Sequence, residues 1–196
     1  MTLPFNLPYG GAVFFSGSSD LLKAGFGAIL SGIIKDVTHA PWSHCGYLCW
    51  QRDVLMLFES TEWQHVSGPQ WNVFSERLHE YSNGGLVVII PYRKETAPDP
   101  TNLENVTAQL VAMQRAGQCK YGRTDLVADL IDYTLMHRFL RWAAKKLLRN
   151  YNLVCSACLR LVTDPTASIE TVKETTPIQE YRRILALGSL PIQVIP

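Results

Sequence analysis

In the first half of the chain apolar residues come in short runs broken by turn-forming clusters; in the second half they recur at helical spacing. The run Ala12-Val13-Phe14-Phe15 is closed by Ser16-Gly17-Ser18-Ser19-Asp20, which supplies both turn chemistry and a helix cap, so a strand followed by a helix is predicted. Over 21–34, Leu22, Phe26, Ile29, Leu30 and Ile33 hold helical spacing. Gly25, Gly27 and Gly32 each weaken that helix by about 1 kcal/mol relative to Ala, which points to close packing against a neighbour. Pro41 then interrupts. Segments 42–50 and 54–60 read as two strands joined through Gln51-Arg52-Asp53 in a β-hairpin. With Arg52-Asp53 as a two-residue loop, Gln51 faces Val54, Gly46 lies opposite Glu59, and His44 sits diagonally from Glu59 on the same face, about 7–8 Å away. A three-residue loop would instead pair Cys45 with Glu59 and turn the carboxylate away.

Further along, 65–68 reads as a short strand and 74–81 as a short helix ended by Asn83-Gly84-Gly85. The fully apolar 86–90 predicts a central strand. Pro98-Asp99-Pro100-Thr101 opens a helix carrying Leu103, Val106, Leu110 and Met113. The pattern from 124 to 149 is helical throughout. Asn150-Tyr151-Asn152 is a polar loop, Leu153-Val154 a short apolar step, and a helix begins at Cys155. Thr176-Pro177 starts another short helix, and the chain from Pro191 is an extended end. The expected class is α+β: one domain over 1–196, with a helical elaboration around 124–149.

With 196 residues, 47% hydrophobic and 18% charged, the chain can bury one sizeable core. A formal net charge of +1 and the lack of any aromatic-basic run argue against nucleic-acid binding. Residues 1–9 lack the basic and apolar regions of a secretory signal, and the most apolar run, 24–34, is about half the length needed to span a bilayer and is bounded by Lys23 and Lys35. A cytoplasmic setting is the expectation. Five cysteines, an odd number, fit a reducing compartment better than a disulfide framework. Cys45 and Cys49 would lie about 13 Å apart along a strand, too far to chelate one ion, so no metal and no cofactor is expected.

A cysteine in the first turn of a helix meets unpaired backbone N–H groups and the positive end of the helix dipole, which favour its thiolate below the free value of roughly 8.5. Cys155 occupies that place. The alternative is that Cys155 and Cys158 are small apolar residues on a buried helix face. His44 and Glu59 have plain readings too, a partly buried sheet histidine and a strand-end carboxylate in solvent. Their shared face is what makes them a candidate pair.

Three pieces, Gly11-Ala-Val-Phe-Phe-Ser-Gly17, Trp42-Ser-His-Cys-Gly-Tyr-Leu48 with Phe58-Glu-Ser60, and Leu153-Val-Cys-Ser-Ala-Cys158, come in an order that resembles the circularly permuted papain-like enzymes of the NlpC superfamily, in their YiiX/YaeF-like branch. The resemblance spans about 11–177 and includes the helix start at Thr176-Pro177. It implies a permuted papain-like fold, an antiparallel sheet packed against the helix that carries the nucleophile. It further implies a Cys155-His44-Glu59 triad, with Tyr121 and Ser156 as candidate oxyanion or substrate contacts. Ala12 departs from the usual Asp, and Ala157-Cys158 from the usual Glu-Leu. The activity implied is a cysteine amidase or peptidase working through a thioester on cell-wall-type peptides or isopeptides. The alternatives are a lipid-directed thiol acyltransferase or hydrolase and a catalytically silent binding protein on the same fold.

Charge changes sign along 124–149: Asp125, Asp129 and Asp132 lie early, and Arg138, Arg141, Lys145, Lys146 and Arg149 late. That order suits the helix dipole, and with Phe139, Leu140, Trp142 and Leu147 it also makes a basic amphipathic face for an anionic membrane surface. Each basic residue near such a surface contributes about 1 kcal/mol before screening. The chain is therefore expected to sediment more with anionic than with neutral vesicles at low salt, and equal sedimentation would remove the idea.

Overall fold

The computed structural model describes residues 7–16, 41–81, 85–120, 155–172, 175–187 and 190–194. The expected helices over 21–34 and 124–149, and the approach to Cys155 over 150–154, lie outside these residues.

Six strands form one antiparallel sheet: β1 (Gly11–Ser16), β2 (His44–Gln51), β3 (Val54–Trp63), β4 (Val66–Val73), β5 (Leu86–Pro91) and β6 (Ile192–Val194), in the order β4-β3-β2-β1-β5-β6. The described helices are α1 (Phe74–Glu80), α2 (Pro100–Arg115), α3 (Cys155–Thr163), α4 (Ile169–Val172) and α5 (Pro177–Ala186). The class is α+β. Asp99 caps α2 by accepting from the Asn102 N–H at 2.9 Å, and Thr176 and Gln179 form a reciprocal capping box on α5. Among the described residues no helix is long and apolar enough to cross a membrane.

Two tight turns set the register of β2, β3 and β4. Arg52 and Asp53 both take positive φ, 47° and 64°, the conformation of a two-residue hairpin turn whose twist matches its strands. Gln51 consequently pairs with Val54 and Tyr47 with Phe58. Gln64 and His65 repeat the device at φ 47° and 67°, pairing Trp63 with Val66. Here the structure corrects the expected short strand at 65–68: His65 is in the turn, β3 runs on to Trp63, and β4 extends to Val73. Gly68 and Pro69 mask the strand pattern, but β4 is an edge strand, where a proline is tolerated. Gly68 itself, at φ 117°, is needed because a Cβ there would come within 2.7 Å of the Cys119 carbonyl oxygen. The extended end predicted beyond Pro191 becomes β6, paired with β5.

Alternation along the strands sorts the core into two faces. Ala12, Phe14, Cys45, Tyr47, Phe58 and Ile90 join Cys155, Cys158, Leu159 and Val162 of α3 on one side. Val13, Phe15, Leu48, Leu57 and Ile89 meet Phe74 and Leu78 of α1 on the other. Helix α3 packs on β2 and β3, and α2 on β4 and α3. Beyond the Tyr47–Phe58 pair of the β2–β3 ladder, Gly46 lets β3 pack closely at Glu59. A Cβ on Gly46 would lie 2.6 Å from Leu57 Cδ1, 2.8 Å from the Phe58 carbonyl oxygen and 3.2 Å from Glu59 Cβ. Gly46→Ala is thus expected to lose about 1–3 kcal/mol of stability, the cost of overpacking, seen as a lower denaturant midpoint at unchanged slope.

Candidate active site

His44 is the first residue of β2, and Glu59 lies on β3 on the same face of the sheet. The productive register of the hairpin is the one present. His44 Nε2 and Glu59 Oε2 are hydrogen-bonded, with His44 6% exposed and Glu59 fully buried. The imidazole is backed by Phe15, whose ring centroid lies 5.6 Å away and which is itself stacked on Tyr81 at 4.5 Å. Because His44 stands at the strand's first position, its ring is within reach of α3, which covers the opposite face. Cys155, the first residue of α3, lies close enough to that ring for each group to shift the other's protonation. With Nε2 taken by Glu59, Nδ1 is the nitrogen left for the cysteine sulfur.

Helix α3 is anchored at both ends. The Ser156 hydroxyl donates to the Thr175 carbonyl. Near the far end, Arg160 Nη1 donates to Glu180 Oε1 of α5 at 3.2 Å, and Arg183 Nε holds the other oxygen of this buried carboxylate at 2.8 Å. Ser156 therefore uses its hydroxyl in placing the helix. Tyr121 lies outside the described residues. Ala12 is wholly buried between Tyr47 and Ile90, so the position where the resembled family carries a carboxylate holds a core methyl group.

Three residues without a prior assignment complete the cluster. Asn72 Nδ2 donates to Glu59 Oε1 at 2.7 Å, and Arg77 donates to the same oxygen through Nε at 2.6 Å and to Oε2 through Nη2 at 3.3 Å. Arg77 is 4% exposed, with its guanidinium 5.3 Å from the Trp63 ring centroid and 6.0 Å from that of Tyr81. Cys45, on the α3 side of β2, shares a buried cluster with Cys155 and favours its thiolate. Arg77 has a sequence signal in hindsight. It stands between Phe74 and Leu78 on the buried stripe of α1, where an arginine requires a buried acceptor. Asn72 needed the full length of β4, and Cys45 needed the contact with α3.

The electrostatics follow from this wiring. Burial alone would raise the Glu59 carboxyl, but His44 and Arg77 outweigh it and bring it down to about 2. For His44 burial again opposes the charge, and the sulfur of Cys155 together with Glu59 overcomes it, raising the imidazole to about 9. The neighbouring Cys45 thiol is the largest influence on Cys155. With the imidazolium it places the Cys155 thiol well below its ordinary value despite burial. Burial instead pushes Cys45, Cys49 and Cys158 up. Of Cys45, Cys49, Cys155 and Cys158, only Cys155 has surroundings that favour the thiolate.

Glu59 also ties stability to acid pH. Its folded value of about 2 lies below its ordinary 4.5, so its contribution is present above about pH 4.5 and is lost as pH falls toward 2. The full difference corresponds to about 3 kcal/mol. Chemical denaturation of the wild type should weaken steeply over that interval. Glu59→Gln should be less stable at neutral pH and nearly flat across the same acid range, and a parallel decline would show that other carboxylates dominate.

No protein-family model and no curated protein sequence matches the chain. Among solved structures it is similar to the crystal structure of metalloprotein yiiX from Escherichia coli O157:H7 (DUF1105), at 14% identity and a TM-score of 0.40. The match covers 65% of this chain and 66% of that one, just under two thirds of its length. The likeness is distant, and the α+β architecture stands on its own strand order and packing.

Proposed function

We propose that the protein is a cysteine hydrolase of amidase or peptidase type, a permuted papain-like domain that cleaves an amide in a peptide or isopeptide through a thioester. One observation carries this reading: a cysteine opening a helix stands beside an imidazole whose Nε2 is held by a buried carboxylate. That is the nucleophile, base and orienting group of acyl-transfer chemistry. A core cysteine would need neither partner.

In the proposed reaction the Cys155 thiolate attacks the carbonyl carbon, forming a C–S bond as the carbonyl π pair moves to oxygen. The Cys155 backbone N–H, at the positive end of α3, receives that oxyanion, and Tyr121 is the second candidate donor. Collapse breaks the C–N bond, and the Nδ1 proton of His44 passes to the leaving amine. Neutral His44 then takes a proton from water, whose oxygen attacks the thioester. Release of the acid returns thiolate and imidazolium. Glu59 keeps Nε2–H toward itself throughout, so the ring presents Nδ1 in every step. Cys45, beside Cys155, favours the resting thiolate.

The test is turnover of a panel of muropeptides, isopeptides and acyl lipids, read by mass spectrometry, alongside mild iodoacetamide labelling. Cys155 should be the labelled cysteine at neutral pH, with an amide product released by the wild type and not by Cys155→Ala. His44→Ala should lose about 10²–10⁴ in rate, Glu59→Gln should also lose a large factor, and the double variant little more than the worse single one. Because His44 loses its proton near pH 9, turnover should decline as pH rises through that value. Labelling elsewhere with Cys155 untouched would overturn the assignment. Release of an acyl chain from lipid alone would move the activity to lipid acyl transfer, and a silent panel with unlabelled Cys155 would favour a binding protein.

A further inference from the structure

Arg77 is buried among aromatic rings, yet a guanidinium cannot shed its charge. It needs a fixed anion, and Glu59 is the fully buried one; Glu80, its second partner, is 42% exposed. Glu59 in turn has both oxygens doubly occupied. Oε1 accepts from Asn72 and Arg77 Nε, and Oε2 from Arg77 Nη2 and His44 Nε2. A carboxylate offers about four acceptor positions, so none is spare and the group cannot rotate away from His44. The fork of Arg77 across the two oxygens sets the plane in which Oε2 meets the imidazole.

In the resting state of the proposed mechanism the four groups alternate in sign from α3 through the sheet to α1: Cys155 negative, His44 positive, Glu59 negative, Arg77 positive. Their sum is zero. The other titratable groups facing them are the thiols of Cys45 on β2 and Cys158 on α3, Tyr81 at the end of α1, and the outer Glu80; Asn72 on β4 is neutral. We propose that Arg77 is a positioning residue of the site, the terminal cation of a buried four-charge chain, and that it fixes the pH range over which the thiolate–imidazolium pair of Cys155 and His44 exists. The proposal rests on the cysteine-hydrolase reading.

The charge count gives a signed test. Removing Arg77 leaves a net negative cluster, which binds protons more readily. The pH at which the thiolate forms and the pH at which the imidazolium is lost should then both rise. Removing Glu59 leaves a net positive cluster, and both should fall. The experiment measures the iodoacetamide alkylation rate of Cys155 against pH in the folded full chain, which requires no substrate. Arg77→Gln should move the acid midpoint up by about one unit and Glu59→Gln should move it down, while the double variant Arg77→Gln/Glu59→Gln returns it near wild type. Arg77→Lys keeps the charge without the fork, so its midpoint should stay close to wild type.

A residue needed only for folding would not produce shifts of opposite sign that cancel. If Arg77→Gln alone is unfolded by circular dichroism, Glu59→Gln against the double variant asks the same question, and adding Arg77→Gln must raise the midpoint. An unchanged or lowered midpoint on losing Arg77 would overturn the proposal while leaving Cys155 and His44 in their roles. A wild-type profile with the midpoint of a free thiol, near 8.5, would instead overturn the hydrolase reading on which it rests.

Discussion

Everything at the site depends on one fully buried carboxylate. An isolated carboxylate taken out of water neutralises itself by binding a proton; Glu59 stays charged because four hydrogen bonds and two cations replace its hydration. The requirement runs outward. The charge on Glu59 calls for Arg77 on α1, the Cys155 sulfur together with Glu59 favours the imidazolium form of His44, and the imidazolium with Cys45 favours a thiolate at Cys155. Helix α1, which would otherwise only cover one side of the sheet, becomes the back wall of the cluster, through Arg77 to Glu59 and through Tyr81 and Phe15 to the imidazole.

The sheet supplies the precision this wiring demands. A register slip of one residue would move Glu59 to the α3 side of the sheet, into the apolar set of Cys45 and Phe58. Two consecutive turns with paired positive φ remove that freedom. Gly46 then lets Leu57, the Phe58 carbonyl and Glu59 close in where a side chain would stand. Cys155 comes near the same ring from the other face because His44 is at the very start of its strand, and the ties of Ser156 at that end of α3 and of Arg160 to Glu180 toward the other hold the helix in place.

The amino-acid sequence carried the local features because each has a short-range cause. Apolar runs and turn residues mark β1, the β2–β3 hairpin and β5; a two-residue Arg52-Asp53 loop implies the pairing that brings His44 and Glu59 to one face; Asp99 and Thr176 announce their helices. Even the placement of Cys155 at a helix start is local, since it needs only the change from polar loop to helical pattern. Where the reading fell short, at the ends of β3 and β4, Gly68 and Pro69 suppress strand propensity, and pairing at the sheet edge overrides it.

What tertiary structure decided is the company each charge keeps. Arg77 lies 18 residues from Glu59, Asn72 lies 13 residues away, and Cys45 and Cys155 come from opposite halves of the chain. No periodicity links such positions, because a buried ion finds its partners through packing of separate elements and not through spacing along one of them. The sequence by itself determined the strand face that His44 and Glu59 share. The packing of α1 and α3 on opposite sides of the β2–β3 hairpin decided their protonation states, since those depend on burial and on charges that meet only in the folded chain.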